Sequence, residues 1–481
     1  MAGSHRDRGV TAVIDKVVGS VREAMSEVPD GASIAVGGFG FTGRPEELIN
    51  ELSERDLHDL HIIANSLQDG AMGRLGVERR LRKFTGAFVF SGALRDEVLG
   101  GRVEVEVAPQ GTLSERLRAG GAGIAAFFTA TSTGTLLETG GFPKRFSEDG
   151  EVVETSPPKE VREFKGRKYV LEYGLRPDYG LVRAHKADRM GNLVFRLSAR
   201  NFNPLVAMAA RRTIVQAEQI VEPGELDPSE VHLPGAFVDV VVEVPRVEQG
   251  DVRSARRRAQ DSADTTDVVG YTREGIAKCI AEDLQQGWVV NLGAGMPVLV
   301  ARFIPPGRGI TLHMENGILG CGPPPPEEGR DQDLSNAGGE YATLEPGAAI
   351  FDSAMSFSIV RGGYLDVTVL GGLEVAANGD LANWYLPGAS TGVGGAMDLV
   401  QGAKAVWIAM EHTTRNGEPK ILNECSYILT GPNVVKRIYT NLGSFSLEGG
   451  GLELIGLAPG ITVDYVRERT EPSFTVKHGV G

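Results

Sequence analysis

A chain of 481 residues is too long for one ordinary core, and 41% hydrophobic with 23% charged residues is the composition of a globular protein, with two large domains as the expectation. A formal net charge of -14 argues against a general nucleic-acid or membrane-surface binder, since either would favour a basic face. No apolar run is long enough to span a bilayer, and Met1-Ala2-Gly3-Ser4-His5-Arg6-Asp7-Arg8 lacks the apolar core of a secretory signal, so a cytoplasmic location is expected.

In chain order, an amphipathic helix is predicted near Val13 to Met25. It leads into Gly31-Ala32-Ser33-Ile34-Ala35-Val36-Gly37-Gly38-Phe39-Gly40-Phe41-Thr42-Gly43-Arg44-Pro45, read as a strand, a glycine turn and a helix opened by proline. A charged stretch from Lys144 to Arg167 interrupts the first half and reads as a peripheral excursion such as a surface hairpin. From Pro245 to Asp267 the chain is densely charged and almost without large apolar residues, which marks a linker. Its Arg253, Arg256, Arg257 and Arg258 read as a solvated face.

The second half repeats the opening of the first. A helix near Arg273 to Leu284 precedes Gly287-Trp288-Val289-Val290-Asn291-Leu292-Gly293-Ala294-Gly295-Met296-Pro297, again strand, glycine turn and proline. Each turn aims backbone N–H groups and a helix start at whatever fills the adjoining crevice. Neither has the Gly-x-Gly-x-x-Gly spacing of a dinucleotide site, and no Walker Gly-Lys-Ser/Thr occurs. Cys279, Cys321 and Cys425 have no metal-ligand spacing, and the eight His do not cluster, so neither a metal nor a disulfide framework is expected. His313 reads as a structural strand histidine.

Met314-Glu315-Asn316-Gly317-Ile318 places one carboxylate in an otherwise uncharged, glycine-bearing turn after the apolar run Ile310-Thr311-Leu312. A Glu in a turn is commonly only solvated. A carboxylate lifted off a strand end can also form covalent intermediates, which makes Glu315 the candidate nucleophile.

Runs across nearly the whole chain resemble the family I CoA-transferases, the fused succinyl-CoA:3-oxoacid and two-subunit 3-oxoadipate types. They are Gly37-Gly38-Phe39-Gly40, Pro109-Gln110-Gly111-Thr112-Leu113-Ser114-Glu115-Arg116, Ser198-Ala199-Arg200-Asn201-Phe202-Asn203, Glu315-Asn316-Gly317, Arg361-Gly362-Gly363, Gly379-Asp380-Leu381-Ala382-Asn383-Trp384 and Gly394-Gly395-Ala396-Met397-Asp398-Leu399. The resemblance implies two homologous open α/β domains facing one active site. Residues 1–245 would form the α-type domain, 246–267 a linker and 268–481 the β-type domain. It also implies that Glu315 carries CoA as a glutamyl thioester, and that Gly38, Phe39, Gly40, Gln110, Asn291, Gly395 and Ala396 line the site. Acyl-CoA and carboxylic acids would be substrates, with no permanently bound cofactor and a homodimer as the assembly. A thioester or carbon–carbon hydrolase on the same fold is the alternative, and a non-catalytic acyl-CoA-binding protein a third reading that an intact Glu315 disfavours.

The chain also departs from that pattern. The family's Ser-Glu-Asn-Gly begins here with Met314, its Asn-Ala-Gly-Lys is Asn336-Ala337-Gly338-Gly339, and its Arg-Gly-Gly-His is Arg361-Gly362-Gly363-Tyr364. Two further loops, Asn65-Ser66-Leu67-Gln68 and Phe90-Ser91-Gly92-Ala93-Leu94-Arg95, differ as well. Most of these positions are expected to border the acyl pocket. Loss of a Lys at Gly339 removes a cation that Arg44 or Arg95 would have to replace.

Overall fold

The computed structural model describes residues 14–67, 70–89, 94–246, 269–386 and 392–480. The expected linker therefore lies almost wholly outside the described residues, as do Gln68 and residues 90–93.

Two large sheets organise the chain. The first has nine strands, eight of them in an unbroken parallel path: Val17–Val18, Val240–Glu243, Arg212–Val221, Tyr179–Asp188, Ser33–Val36, Leu60–Ile63, Leu81–Gly86 and Glu104–Val107. Its central strands are apolar runs because helices cover them on both faces. Ile34, Ile62 and Leu181 point into one cluster, whereas Ala35, Ile63 and Val182 point into another.

The second sheet has ten strands and is mixed. Its parallel centre is Thr311–Met314, Val289–Leu292, Val367–Gly371, Val406–Ala409 and Val435–Tyr439, with antiparallel strands added at each side. Strand following helix in each half gives the α/β class expected from the sequence.

The repeated openings are present, with one correction. The predicted helix near Val13 to Met25 is a two-residue strand, Val17–Val18, and a helix of four residues, Val21–Ala24. The β-branched pair Val17-Val18 extends to join Val241 and Val242, and Ser20 caps the short helix by accepting from the Glu23 N–H at 3.2 Å. Further on, strand Ser33–Val36 leads to helix Glu46–Glu54 with Pro45 as its N-cap. In the second half, helix Arg273–Asp283 and strand Val289–Leu292 lead to Met296–Phe303, which is wound as a 3-10 helix.

The excursion after Lys144 forms two hairpins. Pro143–Phe146 pairs with Val152–Thr155, and Val161–Phe164 pairs with Arg167–Tyr173. They are not wholly peripheral, since Phe146 is buried in the first core and Arg167 donates to the Gln401 carbonyl at 2.7 Å.

The halves share a core and ionic contacts. Trp384, Val393 and Met397 belong to the same apolar cluster as Ile34 and Leu48. Arg196 and Arg246 of the first half both pair with Asp331 and Asp333 of the second. The carboxyl ends of the parallel strands carry Phe39, Asn65, Phe88 and Gln110 in one sheet and Gly293, Glu315 and Gly372 in the other. In open α/β sheets this is the edge where crevices form. No helix among the described residues is long and apolar enough to cross a membrane.

Candidate active site

Strand Thr311–Met314 turns back on itself through Glu315-Asn316-Gly317 into Ile318–Gly322, with Met314 opposite Ile318. Gly317 makes the turn possible. Its φ of 103° suits glycine, and a Cβ there would lie 2.0 Å from the Phe351 carbonyl oxygen. The Gly317 N–H closes on the Met314 carbonyl at 3.0 Å, and Asn316 Nδ2 donates to the Ser335 carbonyl at 2.6 Å. The turn is thereby fixed on both sides while the Glu315 side chain is left to the cleft.

Behind the turn, His313 is fully buried. Ser356 Oγ donates to the Met314 carbonyl at 3.1 Å, so its lone pair accepts from His313 Nε2 at 3.0 Å. That leaves Nδ1 to accept from Asn291 Nδ2 at 3.4 Å. Burial lowers the imidazole to about 4, so a neutral ring with both nitrogens engaged holds the strand and has no free nitrogen to act as a base.

The cleft between the two sheets has a volume of about 370 Å³. The first half contributes Phe39, Phe88 and Gln110. The second half contributes Gly293, Ala294, Glu315, Ala337, the run Leu370 to Leu373, Asn383, the run Gly392 to Ala396, and Leu399. Five of the sequence-predicted residues, Glu315, Phe39, Gln110, Gly395 and Ala396, thus meet on its wall.

The others stand behind it. Gly38 and Gly40 flank Phe39 in the turn, and Gly38, at φ 109°, lets the Arg44 side chain cross where a Cβ would come within 2.6 Å of it. Asn291 is fully buried; its Oδ1 accepts from Thr368 Oγ1 at 3.0 Å and its Nδ2 donates to the His313 carbonyl at 3.2 Å. It reaches Glu315 from beneath and does not line the cleft. The Ala396 N–H is already given to the Val393 carbonyl at 3.1 Å. No acceptor among the described residues takes the Gly395 N–H.

Three expectations about the pocket are corrected. Met314 packs into the second-half core with Leu312, because side chains alternate along the strand and Glu315 faces the other way. Tyr364 is 68% exposed and lies over Gly362, outside the cleft. Arg44 is turned toward Glu46 at 3.1 Å, and Arg95 pairs with Asp96 at 3.3 Å; neither lines the cleft. Gly339 sits in a tight turn closed by its own N–H to the Asn336 carbonyl at 3.0 Å, beside cleft-lining Ala337.

Asp398 has a role that its sequence neighbourhood does not announce. It lies at the start of helix Ala396–Gly402, fully buried, and crosses to the first half. There it accepts from the Gly111 N–H at 2.9 Å and Thr131 Oγ1 at 2.9 Å, capping helix Gln110–Gly121, with Arg361 at 4.0 Å. Gln110, next in that helix, donates its N–H to the Gly394 carbonyl and its Nε2 to Asn65 Oδ1, each at 2.9 Å. Asp398 therefore fixes Gln110 and the Gly394 to Ala396 turn to one another across the interface.

Both buried carboxyls are pushed upward. Burial raises Glu315 to about 7, a hydrogen bond from Asn291 offsets part of this, and the charge of Asp398 adds to it. Burial raises Asp398 to about 6 against the pull of Arg361, Thr131 and the Gly111 and Thr112 N–H groups. A carboxylate short of partners at a cleft wall is a strong nucleophile once ionised.

Known proteins share these features. A family model described as Coenzyme A transferase matches residues 18–244 and 273–469. Succinyl-CoA:3-ketoacid coenzyme A transferase 2A, mitochondrial, of Mus musculus is 41% identical over 460 residues, covering 94% of this chain and 88% of that protein. The corresponding mitochondrial succinyl-CoA:3-ketoacid coenzyme A transferase 2 of Homo sapiens is 41% identical over 460 residues, covering 94% of this chain and 89% of that protein. Among solved structures, an acyl-CoA transferase apoenzyme of Escherichia coli O157:H7 shares the fold with a TM-score of 0.77 at 22% identity, covering 97% of this chain and 95% of that one.

Proposed function

Because the chain belongs to the coenzyme A transferase family, we propose that it moves CoA from an acyl-CoA to a 3-oxo acid by two-step exchange through Glu315. The observation that carries this reading is the Glu315 carboxylate itself. It is buried at a strand-end turn, faces the cleft and has no cationic partner among the described residues.

In this reading Glu315 Oε attacks the thioester carbonyl, whose oxygen becomes an oxyanion beside the Gly395 N–H. Such a donor, preorganised in a site with little water, stabilises the developing charge by about 3 kcal/mol. Collapse breaks the C–S bond and gives an acyl-glutamyl anhydride and the CoA thiolate. The thiolate then attacks the glutamyl carbonyl, the first acid leaves as its carboxylate, and CoA stays on Glu315 as a thioester. An incoming 3-oxo acid carboxylate attacks that thioester, a second anhydride forms, and the thiolate returns to the new acyl carbonyl. Atoms and charge balance without ATP, and the apolar wall keeps water from the anhydride.

Asn291 is a positioning residue here, holding Glu315 through the same amide that fixes His313. Supplying acetoacetyl-CoA with a labelled acid tests the reading. Labelled acyl-CoA should form in the wild type and be lost in Glu315→Gln. Free CoA accumulating at an equal rate with and without acceptor would instead mean hydrolysis.

The division into residues 1–245 and 268–481, joined by a linker and paired as a homodimer, belongs to the same proposal. It is supported by two sheets confined to residues 17–243 and 289–476. Sedimentation equilibrium tests the dimer. A reducing compartment, the cytoplasm, is proposed from Cys279, Cys321 and Cys425, all free thiols.

A further inference from the structure

The acyl side of the cleft has a charge pattern that selects among acids. Phe39, Phe88, Leu370, Leu373, Val393 and Leu399 supply its apolar wall, and no Lys, Arg or His is among its described lining residues. The segments 90–93 and 387–391, which continue the chain from Phe88 and into Gly392, read Phe-Ser-Gly-Ala and Pro-Gly-Ala-Ser-Thr and add no cation.

The polar groups on the wall are already spent. Gln110 Nε2 is given to Asn65, and Asn383 Nδ2 to the Gly371 carbonyl at 3.1 Å. The nearest arginine to the buried carboxyls, Arg361, is held by Glu115 and the Gly111 carbonyl, each at 3.1 Å, in addition to Asp398. The fixed charges close to the reaction centre are thus two carboxylates, Glu315 and Asp398. A substrate bearing a second carboxylate would lose water on entry, find no cation and meet like charge.

Resting on the CoA-transfer reading, we propose that this site accepts acyl groups whose distal end is uncharged and discriminates against dicarboxylic acyl groups such as succinyl. The relatives named for succinyl-CoA would differ from this chain in that respect.

The test is kcat/KM for acetoacetyl-CoA and succinyl-CoA with one common acceptor acid. At least a tenfold preference for acetoacetyl-CoA is expected. Ala337→Lys, which adds an ammonium to the cleft wall without disturbing the positive-φ backbone at Gly339, should shift the ratio toward succinyl-CoA by at least fivefold. Equal use of both donors, or preference for succinyl-CoA, in an enzyme that Glu315→Gln silences would overturn the pocket inference and leave the transfer reading intact. Absence of transfer from either donor to any acid would overturn the transfer reading and this inference with it.

Discussion

Glu315 and Asp398 are both buried acids at the carboxyl-end face of the second sheet, and burial raises both, yet their surroundings differ. Asp398 is enclosed by two backbone N–H groups, a hydroxyl and an arginine. Glu315 has one amide beneath it and open cleft before it. A buried carboxylate with every lone pair occupied is cross-linking; one left nearly bare is poised for chemistry. The difference lies in partners and not in burial, so exposure alone would have ranked the two alike.

This contrast breaks most plainly under substitution. Glu315→Gln should lower kcat by at least about 10⁴-fold while the far-ultraviolet circular dichroism stays that of the wild type, because it removes a nucleophile and no packing. Asp398→Ala should behave oppositely. It leaves Arg361, Thr131 and the start of helix Gln110–Gly121 without their acceptor, and urea unfolding should show a loss of about 3–5 kcal/mol. A variant at Asp398 as stable as the wild type but devoid of activity would reverse the two roles.

The pH profile sharpens the same distinction. The nucleophile must be ionised, so kcat/KM should fall about tenfold per unit below an apparent value near 7, read for the coupled pair of carboxyls. A plateau from pH 5 to 8 would mean that Glu315 is already ionised in the acid range.

Stability should run the other way. A carboxyl whose folded value is raised binds its proton more tightly when folded. Glu315 therefore favours folding below about pH 4.5, and this contribution is lost as pH rises through about 7. Glu315→Gln, which cannot ionise, should gain on the order of 2 kcal/mol over the wild type at pH 8 and little at pH 5, measured by the urea midpoint at each pH.

Local chemistry made much of this legible in the sequence. Glu315-Asn316-Gly317 could be read because a positive-φ glycine follows a lone carboxylate after an apolar strand, and the paired strand–glycine–proline openings announced two α/β halves. Asp398 could not be read as a cross-link, because its partners lie at positions 111, 112, 131 and 361 and only folding brings them together. Met314 was misplaced for a different reason. Its neighbour in sequence is on the cleft, but strand alternation sends it to the core. The helix expected over Val13 to Met25 was lost to a parallel pairing with Val241 and Val242, more than two hundred residues away.

The central claim is that Glu315 becomes covalently attached to CoA, and one measurement addresses it directly. The protein is incubated with acetoacetyl-CoA in the absence of an acceptor acid, digested, and its peptides weighed by mass spectrometry. The account predicts a CoA adduct on the peptide containing Glu315, discharged by hydroxylamine and absent from Glu315→Gln. Cys321 lies close by in sequence, but burial pushes its thiol up to about 12, so it should carry none. An adduct on Cys321, or an active wild-type enzyme that yields no adduct under any donor concentration, would contradict the account.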